Sequence, residues 1–180
     1  MSEKFAYEGY GQLELNNVAF RRDGRIEAQC ALSTDDFSDD VPAENGMLLA
    51  VDKANNVIKL PVDDSLPIAL NYSTEHMYDE RHPELKNFKL APSDGFYPRM
   101  GYLSVGDLFT TNCLCYDFAT ADALETALKA CGTTPVYGGK DASGRILLSA
   151  TKPTSGPVLK VVKYYTMPDG QKAVKLQVIG

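Results

Sequence analysis

The chain has 180 residues, 44% of them hydrophobic and 23% charged, a balance that excludes wholesale disorder and allows a sizeable core in one main domain. The formal net charge of −6 is uneven, −8 over residues 1–90 and +2 over residues 91–180. That acidic first half repels phosphate backbones and argues against direct nucleic-acid binding. With no run of about 18 apolar residues, the sequence contains no transmembrane helix. The opening Met-Ser-Glu-Lys-Phe-Ala-Tyr lacks the apolar core of a secretory signal, so the expectation is a soluble protein made in the cytoplasm and not bound to a membrane.

Residues 1–11 show no steady period and little apolar content, and they read as an extended N-terminal arm whose Phe5, Tyr7 and Tyr10 are available to anchor on a neighbour. Residues 12–180 then read as a single β-rich domain. From Leu13 to Leu32, alternating apolar residues flank Arg22-Asp23-Gly24, the pattern of a hairpin closed by an Asp-Gly turn. Asp35, Asp36, Asp39 and Asp40 follow within six positions. Their spacing departs from the calcium-loop pattern and lacks its glycine and closing glutamate, so no metal is expected, although a hard cation at this loop stays open.

A second hairpin is expected from the continuous apolar run Gly46–Asp52, a turn over Lys53–Asn56, and a return through Val57–Leu60 to Pro61. Such a run predicts burial on both faces. Leu66–Tyr72 reads as a short strand, edge-like because Pro67 cannot donate to a ladder. Residues 73–88 change character, and both histidines lie here. This polar stretch predicts a projecting loop whose Tyr72, His76, Tyr78, Arg81 and His82 form contacts; its histidines and acids lack any recognised ligand or acid–base spacing.

Gly95–Asp117 reads as a strand, turn and strand, its second half an interior strand with large side chains on both faces. Cys113 and Cys115 would share a face of that strand. With Cys30 and Cys131 they show no Cys-x-x-Cys spacing, so free, mostly buried thiols are expected. Residues 120–132 carry the pattern of an α-helix, with Thr120 as N-cap, Leu124, Leu128 and Cys131 on one face, and Gly132 at the end. The remainder is strongly β: 134–149 as a hairpin about Asp141–Gly144, and Val158–Tyr165 returning through Lys172–Ile179. The predicted fold class is therefore mainly β with one α-helix, a β-barrel or β-sandwich with long hairpins.

Nucleophile-elbow, phosphate-loop, zinc-protease and dinucleotide-binding signatures are absent, and neither catalytic residues nor a cofactor is expected. Ile68-Ala-Leu-Asn-Tyr-Ser-Thr-Glu, Leu85-Lys-Asn-Phe88, Gly95-Phe-Tyr-Pro-Arg99, Ser104-Val-Gly-Asp-Leu-Phe-Thr-Thr-Asn112 and Thr166-Met-Pro-Asp-Gly-Gln171 together resemble small structural proteins of tailed bacteriophages and prophages, of the sort encoded beside the major capsid protein. The resemblance implies a non-enzymatic capsid auxiliary, or decoration, protein on the outside of the virion. Its partners would be the major capsid protein or other virion subunits, with copies of itself as a homo-oligomer. A tail-tube or head–tail joining subunit, or a carbohydrate- or receptor-binding β-module, are the alternatives.

Overall fold

The computed structural model describes residues 3–5, 11–22, 25–62, 65–73, 89–167 and 170–180. Over these the chain is mainly β, with one α-helix. The sixteen strands are β1 (Glu3–Lys4), β2 (Leu13–Ala19), β3 (Ala28–Gln29), β4 (Ala31–Leu32), β5 (Ala43–Glu44), β6 (Leu48–Asp52), β7 (Val57–Lys59), β8 (Ile68–Asn71), β9 (Lys89–Leu90), β10 (Arg99–Gly101), β11 (Leu108–Thr111), β12 (Leu114–Tyr116), β13 (Tyr137–Lys140), β14 (Ile146–Ser149), β15 (Leu159–Thr166) and β16 (Lys172–Val178). Helix α1 spans Ala121–Lys129. An eight-stranded sheet runs β1-β12-β14-β13-β15-β16-β11-β2, a six-stranded sheet β3-β10-β8-β6-β7-β4, and β5 pairs with β9 alone.

The local patterns fold as their sequences predict. β6 and β7 form the hairpin about residues 53–56, with Val51 opposite Ile58, and all five residues of β6 are buried. β13 and β14 pair across the Asp141–Gly144 turn, and β15 pairs with β16 over almost its whole length. Val174, Leu176 and Val178 alternate inward on β16 while Lys175 and Gln177 reach the rim. In α1 the Thr120 hydroxyl accepts from the Ala123 N–H at 3.1 Å, and Leu124 and Leu128 are buried under the sheet. The helix ends at Ala130, without a left-handed glycine: Gly132 lies two residues further on and keeps a negative φ.

Three expectations are corrected. Leu13–Leu32 is not a hairpin, because β2 pairs with β11 in the larger sheet while β3 and β4 pair with β10 and β7 in the smaller one. Arg22 and Arg25 still close a turn, with the Arg25 N–H on the Arg22 carbonyl, yet it serves as a corner between sheets. Phe20 holds that corner, edge-on to Phe109 at 5.9 Å and to Tyr72 at 6.5 Å between ring centres. Next, the central stretch is two strands, broken at Asn112 and Cys113. There the Asn112 side-chain oxygen accepts from the Gln12 N–H at 2.6 Å and its amide donates to Gln171 at 2.9 Å. Finally, β8 is an interior strand, lying between β10 and β6. Pro67 sits just outside it and uses only its carbonyl, which accepts from Val51.

The six-stranded sheet is curled like half a barrel, and its central strands β6 and β8 are buried on both faces. Leu48 and Leu70, paired in register, join a cluster with Phe109, Leu114 and Leu176 from the larger sheet. Leu49 and Ala69, one residue along, join a second cluster with Phe37, Ile58 and Met100 inside the curl. A buried polar seam ties the sheets together. Glu44, 3% exposed, meets Arg145 at 3.0 Å, accepts from the Gly11 N–H at 2.7 Å, and lies 3.9 Å from the Cys113 thiol. Its own carbonyl accepts from Asn71 at 2.9 Å. The close approach requires glycines: a Cβ on Gly11 would stand 2.5 Å from Cys113 Sγ, and one on Gly46, at φ +88°, would stand 2.4 Å from Thr111 Oγ1.

Candidate binding surface

Two exposed regions flank β10, and backbone chemistry fixes both. Before the strand, Pro92–Asp94 forms a 3-10 turn because proline presets φ and the Asp94 carboxylate accepts from the Ala91 N–H at 2.7 Å. Gly95, left-handed at φ 70°, ends the turn and turns the chain outward. Phe96 and Tyr97 follow, 68% and 53% exposed. Beside this loop, Ser38 and Val41 exchange backbone hydrogen bonds at 3.1 Å, a tight turn that presents Asp39 and Asp40 at its tip and leaves Val41 exposed. The Ser93 hydroxyl donates to Asp39 and joins the two loops, which border a concavity of about 180 Å³.

After the strand, the buried Asp107 carboxylate accepts from Arg21 N–H and from Ser104 N–H, each at 2.7 Å, and holds two separate segments side by side. Arg21, Arg22, Arg25 and Ser104 border a second concavity, of about 300 Å³. Arg22 grips both oxygens of Glu27 at 2.8 and 3.1 Å. Arg21 and Arg25 make no ion pair among the described residues. Ile26 and Val105, exposed, flank this basic site.

No family model matches the chain, and no curated protein or solved structure matches it.

Two of the residues expected at an interface are engaged within the chain. Phe5 is half-buried, edge-on to Tyr164 at 6.4 Å, and its N–H donates to the Leu114 carbonyl while β1 pairs with β12. Tyr72 is half-buried, packs against Gly101, and donates its hydroxyl to the carbonyl of Arg25, one of the residues that border the basic concavity. Tyr7, Tyr10, His76, Tyr78, Arg81 and His82 lie outside the described residues, as does nearly all of the 73–88 stretch. The structure brings Asp39 to Ser93 but turns Asp36 inward, where its carboxylate accepts from Leu60 N–H at 3.1 Å. Among the described residues no three His, Cys, Asp or Glu side chains are grouped to hold a metal, and no helix is long and apolar enough to cross a membrane. None of the four cysteines forms a disulfide, and Cys30, Cys113 and Cys115 are buried.

Sequence reasoning passed over Phe96 and Tyr97 because it assigned them to a strand. The available signal was their place between Gly95 and Pro98, two chain breakers that leave a short loop with aromatic contents. The three arginines within five positions were likewise absorbed into the supposed hairpin turn.

Proposed function

We propose that this chain is a non-enzymatic assembly protein that binds other protein subunits, of the capsid auxiliary type to which its sequence phrases point. The observation that supports the reading is the exposed aromatic pair Phe96–Tyr97 on a loop fixed at its base. Large exposed aromatics raised on a rigid turn are the residues that dominate protein interfaces, because they bury much area at little conformational cost. The loop is anchored by the Asp94 cap and the Ser93–Asp39 bond, so little ordering remains to be done on binding. On this reading the protein sits outside a shell and bridges its subunits through apolar anchors with a polar rim.

Co-sedimentation with intact heads purified from the strain that encodes the chain tests this reading. The wild-type protein should pellet with the heads. Phe96→Ser and Tyr97→Ser should each weaken binding by about 1–3 kcal/mol, the range for truncating an interface anchor, without changing the melting temperature. A wild-type protein left in the supernatant would exclude the capsid role.

A further inference from the structure

We propose that the basic concavity formed by Arg21, Arg22, Arg25 and Ser104 receives the Asp39–Asp40 turn of a second copy of this chain, so that copies associate head to tail. The argument begins with charge. In a chain of net charge −6, three arginine side chains border one concavity, and two of them face solvent with no ion pair among the described residues. Asp23, which lies outside the described residues, and Glu27 on Arg22 lower the formal charge of residues 21–27 to +1, so a cationic excess remains. Arginines held side by side suit carboxylates, and Arg22 already holds one, a single guanidinium nitrogen meeting both oxygens of Glu27.

The same surface carries the complement. The Ser38–Val41 turn raises two exposed aspartates on a two-residue tip, narrow enough to enter a concavity of about 300 Å³. Apolar residues border both parts: Ile26 and Val105 beside the arginines, Val41 beside the aspartates. An interface with matched charges and a few apolar neighbours has both the steering and the area burial that association needs. Among the described residues no hydrogen bond or ion pair joins the two parts. They share no bordering residue, and β10 separates the Ser93–Asp94 loop that holds Asp39 from Ser104 at the basic site. Lys89 borders the acidic concavity, but Asp39 and Asp94 outnumber it there.

A patch that docks on a different patch of an identical copy is a heterologous contact, which closes into a ring or extends as a chain according to its rotation. The contact needs neither Phe96 nor Tyr97, so it is independent of the shell-binding reading and is measured without heads.

Sedimentation velocity on the purified full chain decides it. At low salt the wild-type weight-average mass should rise with concentration above that of the monomer. Raising ionic strength from about 0.05 to 0.5 M should weaken the association about tenfold or more, because exposed charges are then screened within a few ångströms. Arg21→Ser/Arg25→Ser and Asp39→Asn/Asp40→Asn should each remain monomeric at low salt. Mixed in equal amounts, they retain one intact acidic turn and one intact basic concavity between them, and should form a dimer that grows no further. Both pairs are exposed, and unchanged thermal melting would confirm that each variant is folded. A wild-type monomer at all concentrations, association insensitive to salt, or a mixture that stays monomeric would each overturn the proposal. So would a monomeric wild type that instead captures a polyaspartate peptide, since the concavity would then serve a foreign acidic partner.

Discussion

At the scale of single residues, the buried polar groups set where the sheets may sit. Glu44 is enclosed, and only its pairing with Arg145 and the Gly11 N–H makes its charge tolerable there, since an unpaired buried charge costs several kcal/mol. Nearby Asn45 is fully buried, with neither end of its amide bonded among the described residues. Asp52 behaves differently. The Asn55 side chain and backbone N–H, together with Lys59, hold its pKa down to about 2. A depressed carboxylate contributes stability that is present above its unfolded value near 3.8 and is lost as pH falls through about 2. Asp52→Asn should therefore be less stable than wild type at neutral pH, with the gap closing between about pH 4 and pH 2. Denaturant midpoints of the two proteins across that window check this, and a gap that stays constant with pH would contradict it.

At the scale of elements, what could be read from the sequence was what is local. The β6–β7, β13–β14 and β15–β16 hairpins and the capped helix all bond to near neighbours in the chain, so their signals are complete within a short window. The Leu13–Leu32 segment misled because alternation and an Asp-Gly turn report only that strands exist, whereas the partners of β2 and β3 lie some 70 to 100 positions away. The break at Asn112 was hidden for a related reason: its cause is a pair of hydrogen bonds to Gln12 and Gln171, at the two far ends of the chain. The exposed Phe96–Tyr97 pair was legible in its flanking Gly95 and Pro98, but the basic concavity was not, since Asp107 assembles it from distant segments. For the helix, Thr120→Ala removes the acceptor of the Ala123 N–H and should cost about 1 kcal/mol. Chemical denaturation should register that loss, and Thr120→Ser should recover most of it.

At the scale of the whole molecule, both apolar clusters rest on one curled sheet. Leu48 and Leu49 are neighbours in β6 with no exposed surface, yet the first belongs to the cluster shared with the eight-stranded sheet and the second to the cluster inside the curl. A sheet whose central strands are buried on both faces couples the two, so the described body should unfold in one step. Leu48→Ala and Leu49→Ala should each lower the same single transition, by about 2–5 kcal/mol, the usual cost of a buried leucine cavity. Calorimetry showing two transitions, each moved by only one variant, would mean that the clusters melt separately.

The outer strands of the two large sheets have a consequence for crowding. Among the described residues, β1, β3 and β4 are only two residues long, and β2, at seven, is the one long strand at an edge. Unpaired backbone on a long flat rim is a template onto which a neighbouring chain adds itself strand by strand, the route to cross-β aggregates. A rim cut to two residues offers too few amide groups to hold such a visitor. Among the described residues three of the four rims are blunted in this way, so copies packed at high local density can meet through side chains while β2 is the rim that offers fibrous growth a point of entry.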